Sequence, residues 1–171
     1  MLSMARLSAA VFADRINQIR EKIAAEDVDA GVWFDATNIE YLVGFPHVIT
    51  ERPIVLLITH QRVQLLVPRL EADRAASVDH IDGVYSYFDY PCDTPMDQLR
   101  ELLIKESINS VAADAKQPPS VMGYSGPPLS SFVQPTIQSW VDEFRRTKSE
   151  QEQALLTESG EWATRIHEYF T

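Results

Sequence analysis

The segment Pro53 to Thr59 (PIVLLIT) most restricts what this chain can become, because it is the most hydrophobic stretch and shows no helical period. A short, continuously apolar run reads as a central, buried strand, with the proline at its start where it costs no ladder bond. Val28 to Phe34 (VDAGVWF) reads as a second buried strand. Before it, Phe12, Ile16, Ile19 and Ile23 recur at steps of four, three and four, with Asp14, Arg15, Arg20 and Glu21 off that line. This spacing predicts an amphipathic helix over Ser8 to Glu26 that needs a sheet to lie on.

The remaining segments continue the alternation. Thr37 and Glu40 have capping-box spacing, Ile39, Leu42 and Val43 give an apolar face, and Gly44 suits a helix stop. Arg62 to Val67 (RVQLLV) follows a turn at His60 and Gln61, so a hairpin with the preceding strand is expected. Leu70 to Ala76 reads as a short helix, Gly83 to Phe88 as a strand, and Pro91 to Asp93 as a turn. Thr94, Pro95 and Asp97 supply an N-cap, an N1 proline and an N3 acid for a helix with Met96, Leu99, Leu102 and Leu103 on its apolar face. Ser110 to Asp114 is a further buried strand, and Gln117 to Pro128, with four of the ten prolines, is a loop. Leu129 to Ile137 is expected to be a short helix around Phe132 and Val133, and Ser139 to Phe144 an extended stretch. Ser149 and Glu152 make a second capping box, opening a helix with Leu155, Trp162, Ile166 and Phe170 on one stripe.

Composition narrows the partners. A chain of 171 residues, 45% hydrophobic and 23% charged, is enough for one soluble domain with a core that needs no disulfide or metal. The 25 acidic against 15 basic side chains give a charge of -10, so neither nucleic acid nor an anionic membrane surface is expected as a partner. Cys92 is the single cysteine, which excludes an intramolecular disulfide and any multi-cysteine metal site. Met1 to Ala13 lacks a signal-peptide apolar core, and no run approaches the roughly 18 apolar residues of a membrane span. A cytoplasmic protein is expected.

No complete active site is legible. His47, His60, His80 and His167 are scattered without metal-site spacing and read as surface or loop residues. Asp82, Asp89, Asp93 and Asp97 lack the order of a calcium loop and read as loop and cap residues. Cys92 beside Asp93 reads as inert, since a neighbouring carboxylate raises a thiol pKa. Neither a nucleophile elbow nor a phosphate-binding glycine loop occurs.

The segment Asn38 to Phe45 (NIEYLVGF), preceded by VDAGVWFDAT, resembles the N-terminal domain of the creatinase, prolidase and Xaa-Pro aminopeptidase family. Three further matches follow the family order: the helix opened by Arg15 leading into Val28 to Ala30, LLVPRLEADRA at Leu65 to Ala75, and FRRTKSEQEQALL at Phe144 to Leu156. The resemblance implies an α/β fold of ribonuclease H-like topology, a mixed central sheet flanked by helices, over residues 1–144. Residues 145–171 would then be the linker and first helix leading to a C-terminal catalytic domain absent from this sequence.

In that family the catalytic residues, which hold two divalent metals (Mn, Co or Zn), lie in the C-terminal domain, so no cofactor and no catalytic residue is assigned here. His167 and Glu168 are not metal ligands on this reading. The N-terminal domain of the family contributes homodimer contacts and walls the active-site mouth. The loop Phe45 to Arg52 (FPHVITER) is the expected contributor, with Arg52 pairing a substrate carboxylate and His47 and Tyr41 lining the mouth. Each has a structural alternative: Tyr41 as half-buried packing, His47 as a solvated loop residue, Arg52 as a partner of Glu51. Asn38, Gly44 and Pro53 are assigned to structure. The apolar stripe of Trp162, Ile166 and Phe170 predicts self-association where nothing else covers it. Rival readings are a stand-alone binding or scaffold domain of the same fold, or the N-terminal domain of a creatinase-like amidinohydrolase.

Overall fold

A computed structural model describes residues 7–88, 94–119 and 126–170. Six strands form one sheet: β1 (Ala30–Trp33), β2 (Val55–Thr59), β3 (Val63–Pro68), β4 (Gly83–Tyr87), β5 (Ser110–Ala113) and β6 (Gln134–Ile137). Their spatial order is β4-β3-β2-β1-β5-β6. β2 runs antiparallel to β1 and β3, and the other neighbours are parallel, so the sheet is mixed. The two runs read as buried strands lie side by side at its centre.

Helices cover both faces. α1 (Ala9–Ala25), α2 (Ala36–Val43), α3 (Ala72–Ala76) and α5 (Trp140–Arg146) contribute to one core, into which Ile16, Ile19, Ile39, Leu42, Ala75 and Val141 project. The other core is covered by α4 (Pro95–Lys105) through Met96, Leu99, Leu102 and Leu103. Fully burying a leucine side chain contributes about 1.5–3 kcal/mol, so the α4 stripe anchors that layer. Thr94 caps α4 by accepting from the Asp97 amide at 3.1 Å, as its spacing predicts. α1 and α4 end alike: Asp27 and Ser107 take positive φ, and the next apolar residues, Val28 and Ile108, donate back to Ile23 and Leu103 carbonyls at 3.2 and 2.9 Å.

Three expectations need correction. The cap of α2 is Asp35, whose carboxylate accepts from the Thr37 and Asn38 amides at 2.9 and 3.0 Å, so Thr37 lies inside the first turn. Residues 129–137 form a 3-10 turn (Leu129–Ser131) followed by β6, where a helix was expected. Pairing with β5 decides this: Gln134 and Gln138 donate to Asn109 and Ala113 carbonyls, and Pro135 sits where its missing N–H faces the open edge. Finally, Ser139 to Phe144 is largely helical. Trp140, Val141 and Phe144 pack on the core at helical spacing, with Asp142 and Glu143 in the first turn of α5 and Arg145 and Arg146 in the last, each favoured by the helix dipole.

α6 (Glu150–Phe170) opens with the expected reciprocal box: the Ser149 amide donates to Glu152 at 2.8 Å and the Glu152 amide to Ser149 Oγ at 3.3 Å. It buries none of its residues. The boundary expected after residue 144 falls inside α5. The expected turn at Pro91 to Asp93, Asp89, Cys92 and residues 120–125 of the proline loop lie outside the described residues.

Candidate functional site

The loop between α2 and β2 is fixed at both ends. At its start, Gly44 adopts φ 64° and donates to the Glu40 carbonyl at 2.8 Å. A Cβ there would also meet Phe12 Cζ at 2.8 Å, so both backbone conformation and space require glycine. Phe45 follows, buried under the Arg74 guanidinium 4.1 Å from its ring centroid. Arg74 donates to the Pro46 carbonyl at 2.6 Å and pairs with Glu71 at 2.7 Å, tying the loop to α3. At its end Ile54 is buried, and the Tyr87 hydroxyl donates to the Pro53 carbonyl at 2.8 Å.

Between these anchors the structure brings His47 and Arg52 to one cleft of about 350 Å³, together with Val48, Leu70, Glu71 and Arg74. Val48 and Leu70 are more than three-quarters exposed at its rims. Burial pushes the His47 pKa down, and the nearby Arg74 charge acts in the same direction, so the ring is neutral at physiological pH. His47 Nδ1 lies 3.4 Å from the Phe45 carbonyl. Arg52 is paired with Glu51 at 3.7 Å, and both side chains remain more than one-third exposed. The cleft therefore combines guanidinium groups, a neutral imidazole and apolar rims, a combination suited to a small ligand bearing a carboxylate.

Tyr41 is not part of that cleft. It lines a larger neighbouring one, about 690 Å³, with Phe12, Arg15, Thr37, Glu40 and Glu152, and Pro46 borders both. Its ring carries the Arg15 guanidinium at 3.7 Å, and burial raises its phenol pKa. Arg15 is nearly fully buried; it donates to the Tyr41 carbonyl at 2.5 Å and pairs with Glu152 at 3.0 Å. The helical pattern places Arg15 off the apolar line of α1, but it is four residues before Ile19 and flanks the buried stripe. That spacing, with Phe12 three residues earlier, was the available signal.

Other polar residues have structural roles. His80, read as a surface or loop residue, is half-buried: its Nε2 lies 2.7 Å from the Val43 carbonyl, and its ring stacks on Phe12 at 4.9 Å. Asp82 accepts from the Val63 amide at 2.7 Å. Asp114, just beyond β5, accepts from the Phe34 and Asp35 amides and the Asn38 side chain at 3.0–3.1 Å. Burial nonetheless raises its pKa. Among the described residues no group of three His, Cys, Asp or Glu side chains is placed to hold a metal ion, and no helix is long and apolar enough to cross a membrane.

Residues 15–126 match the creatinase/prolidase N-terminal domain family. No curated protein matches the chain by sequence. Among solved structures, the creatinase/prolidase N-terminal domain of an X-Pro dipeptidase from Streptococcus pyogenes is 21% identical, with a TM-score of 0.61 over 78% of this chain and 98% of that one. The aminopeptidase P (Xaa-Pro aminopeptidase) from Streptococcus thermophilus is 17% identical, with a TM-score of 0.58 over 80% of this chain and 98% of that one. An Xaa-Pro dipeptidase from Bacillus anthracis, 13% identical, aligns over 86% of this chain but only 39% of its own length, with a TM-score of 0.66. At these identities the likeness establishes the fold.

Proposed function

The chain belongs to the creatinase/prolidase N-terminal domain family, and on that premise we propose that it is the non-catalytic N-terminal domain of a metal-dependent Xaa-Pro peptidase of the prolidase or aminopeptidase P type. It shapes substrate access and supplies dimer contacts, while a C-terminal catalytic domain hydrolyses the Xaa-Pro bond. The two divalent metals belong to that domain, and no step through them is assigned to residues of this chain. α6 is the bridge to it, and the catalytic domain covers the exposed Trp162, Ile166 and Phe170.

The observation that carries this reading is the rigidly held loop that puts His47 and Arg52 in one cleft. Arg52 receives the carboxylate of the incoming peptide, exchanging its partly solvated Glu51 partner for a ligand, and the neutral His47 ring offers a hydrogen bond beside it. Tyr41 acts through Arg15 at the neighbouring cleft and sets the loop's base. In a polypeptide carrying both domains, Arg52→Ala raises KM for Xaa-Pro dipeptides about fivefold to tenfold, with kcat held within about twofold. His47→Ala raises KM about threefold, as for a lost neutral hydrogen bond. Steady-state kinetics checks both values; an unchanged KM in both variants contradicts the assignment.

A further inference from the structure

We infer that the larger cleft, beside Tyr41, receives the residues that follow proline in a substrate, so that the chain serves an enzyme taking oligopeptides that begin Xaa-Pro as well as dipeptides. The inference rests on the reading above, in which the cleft of His47 and Arg52 receives the substrate, and gives that site its peptide length. It starts from the two volumes. The first cleft, about 350 Å³, suits a small ligand, and the second, about 690 Å³, is about twice as large. Pro46, exposed, borders both, so the second opens where the first ends. An extended chain advances about 3.3–3.6 Å with each residue, and residues after the proline run across Pro46 into the larger space.

The lining there fits a peptide better than a charged ligand. Arg15 and Glu152 are a matched pair at 3.0 Å, with Arg15 Nε and Nη2 sealed from solvent, so the pair neutralises itself. Among the described residues, the other charged side chains lining this cleft are the exposed Glu40 and the half-buried Arg145, one of each sign. Phe12, Tyr41 and Pro46 add apolar and aromatic surface. A lining without net charge gives no advantage to an anion or a cation, and it suits apolar side chains carried on a neutral main chain. Its walls are preformed. Phe12 stacks on His80 at 4.9 Å, His80 Nε2 lies 2.7 Å from the Val43 carbonyl, and the Tyr41 ring is held by the Arg15 guanidinium at 3.7 Å. A ligand entering such walls orders little of the protein, so its apolar contacts count toward affinity.

Titration of the isotope-labelled chain with the dipeptide Leu-Pro and with the pentapeptide Leu-Pro-Leu-Ala-Phe, followed by amide chemical shifts, tests this. We expect Leu-Pro to move the amides of His47, Val48 and Arg52. The pentapeptide moves these and also the amides of Thr37, Tyr41 and Gly44, and it binds about fivefold to tenfold tighter, as for one further partly buried apolar side chain. Thr37 is exposed at the larger cleft, and Asp35 accepts from its amide whatever side chain it carries. Thr37→Arg sets a long side chain there, within reach of Glu40 three residues on, and returns the pentapeptide to the affinity of Leu-Pro. The shift map of the native chain holds whether or not this variant folds. A pentapeptide that moves only the His47, Val48 and Arg52 amides overturns the inference, leaves the substrate reading standing and gives the larger cleft to the catalytic domain. No movement of those loop amides with either peptide overturns both.

Discussion

Replacing Gly31 by alanine lowers the stability of the fold by about 3 kcal/mol or more. Gly31 and Trp33 share one face of β1, and the buried indole lies back across the glycine. A Cβ at Gly31 would stand 2.2 Å from Trp33 Cη2 and 2.5 Å from Cζ3. The backbone cannot retreat, because β1 is paired with β2 on one side and β5 on the other. The indole must therefore leave its place in the core, and vacating a buried aromatic site costs about 3–5 kcal/mol. Equilibrium denaturation reads the loss. Trp33→Leu in the Gly31→Ala background restores part of it, giving a coupling of about 1 kcal/mol or more in a double-mutant cycle. A Gly31→Ala change within about 0.5 kcal/mol of the native value contradicts this packing.

The second large effect concerns Arg15. Glu152→Ala leaves the guanidinium, whose side chain is 5% exposed, without its counter-charge. Stranding a fully buried charge costs about 3–5 kcal/mol; Glu152 is itself 19% exposed, which places the expected loss near 2 kcal/mol. Arg15→Met costs less, since it removes the charge together with its need for a partner. The pH dependence follows from the direction of the Glu152 shift. Burial alone would raise its pKa, but the Ser149 amide and hydroxyl, Arg15 and Lys148 together hold it below the usual 4.5. Its stabilisation is therefore complete above the unfolded pKa and is lost as pH falls through the folded one. Asp114 has the opposite sign: burial raises its pKa, so its contribution is fully present below the unfolded value and declines as pH rises through the folded one. Acidification thus loosens the α6 joint, while the Asp114 contribution at the β1–β5 end of the sheet is retained at low pH. Amide exchange at residues 150–154 against pH checks this, and Glu152→Gln removes that local acid transition.

The fold was legible where the physics is local. Apolar runs such as PIVLLIT specify buried strands, and caps such as Thr94 and Ser149 specify helix starts, because the deciding partners lie within a few residues. β6 was not legible, since what makes residues 134–137 a strand is pairing with β5 more than twenty residues earlier. Asp35 and Thr37 competed for one cap, and only the backbone conformation at Asp35, φ -72° and ψ 128°, decides between them. At the candidate site, the loop and its two polar residues were readable from their flanking elements. Arg74, which ties the loop down, was not, and for Arg15, which ties α2 to α6, spacing signalled burial beside Phe12 and Ile19 without its partners, because an arginine's partners are set by tertiary contacts.

The most direct test of the central claim, that this chain serves catalysis without performing it, is hydrolysis of an Xaa-Pro dipeptide by the purified 171-residue chain supplied with Mn2+ or Co2+. The account predicts no turnover above the metal-only rate. Metal-dependent turnover that copurifies with the chain and survives chelation and reloading would contradict it.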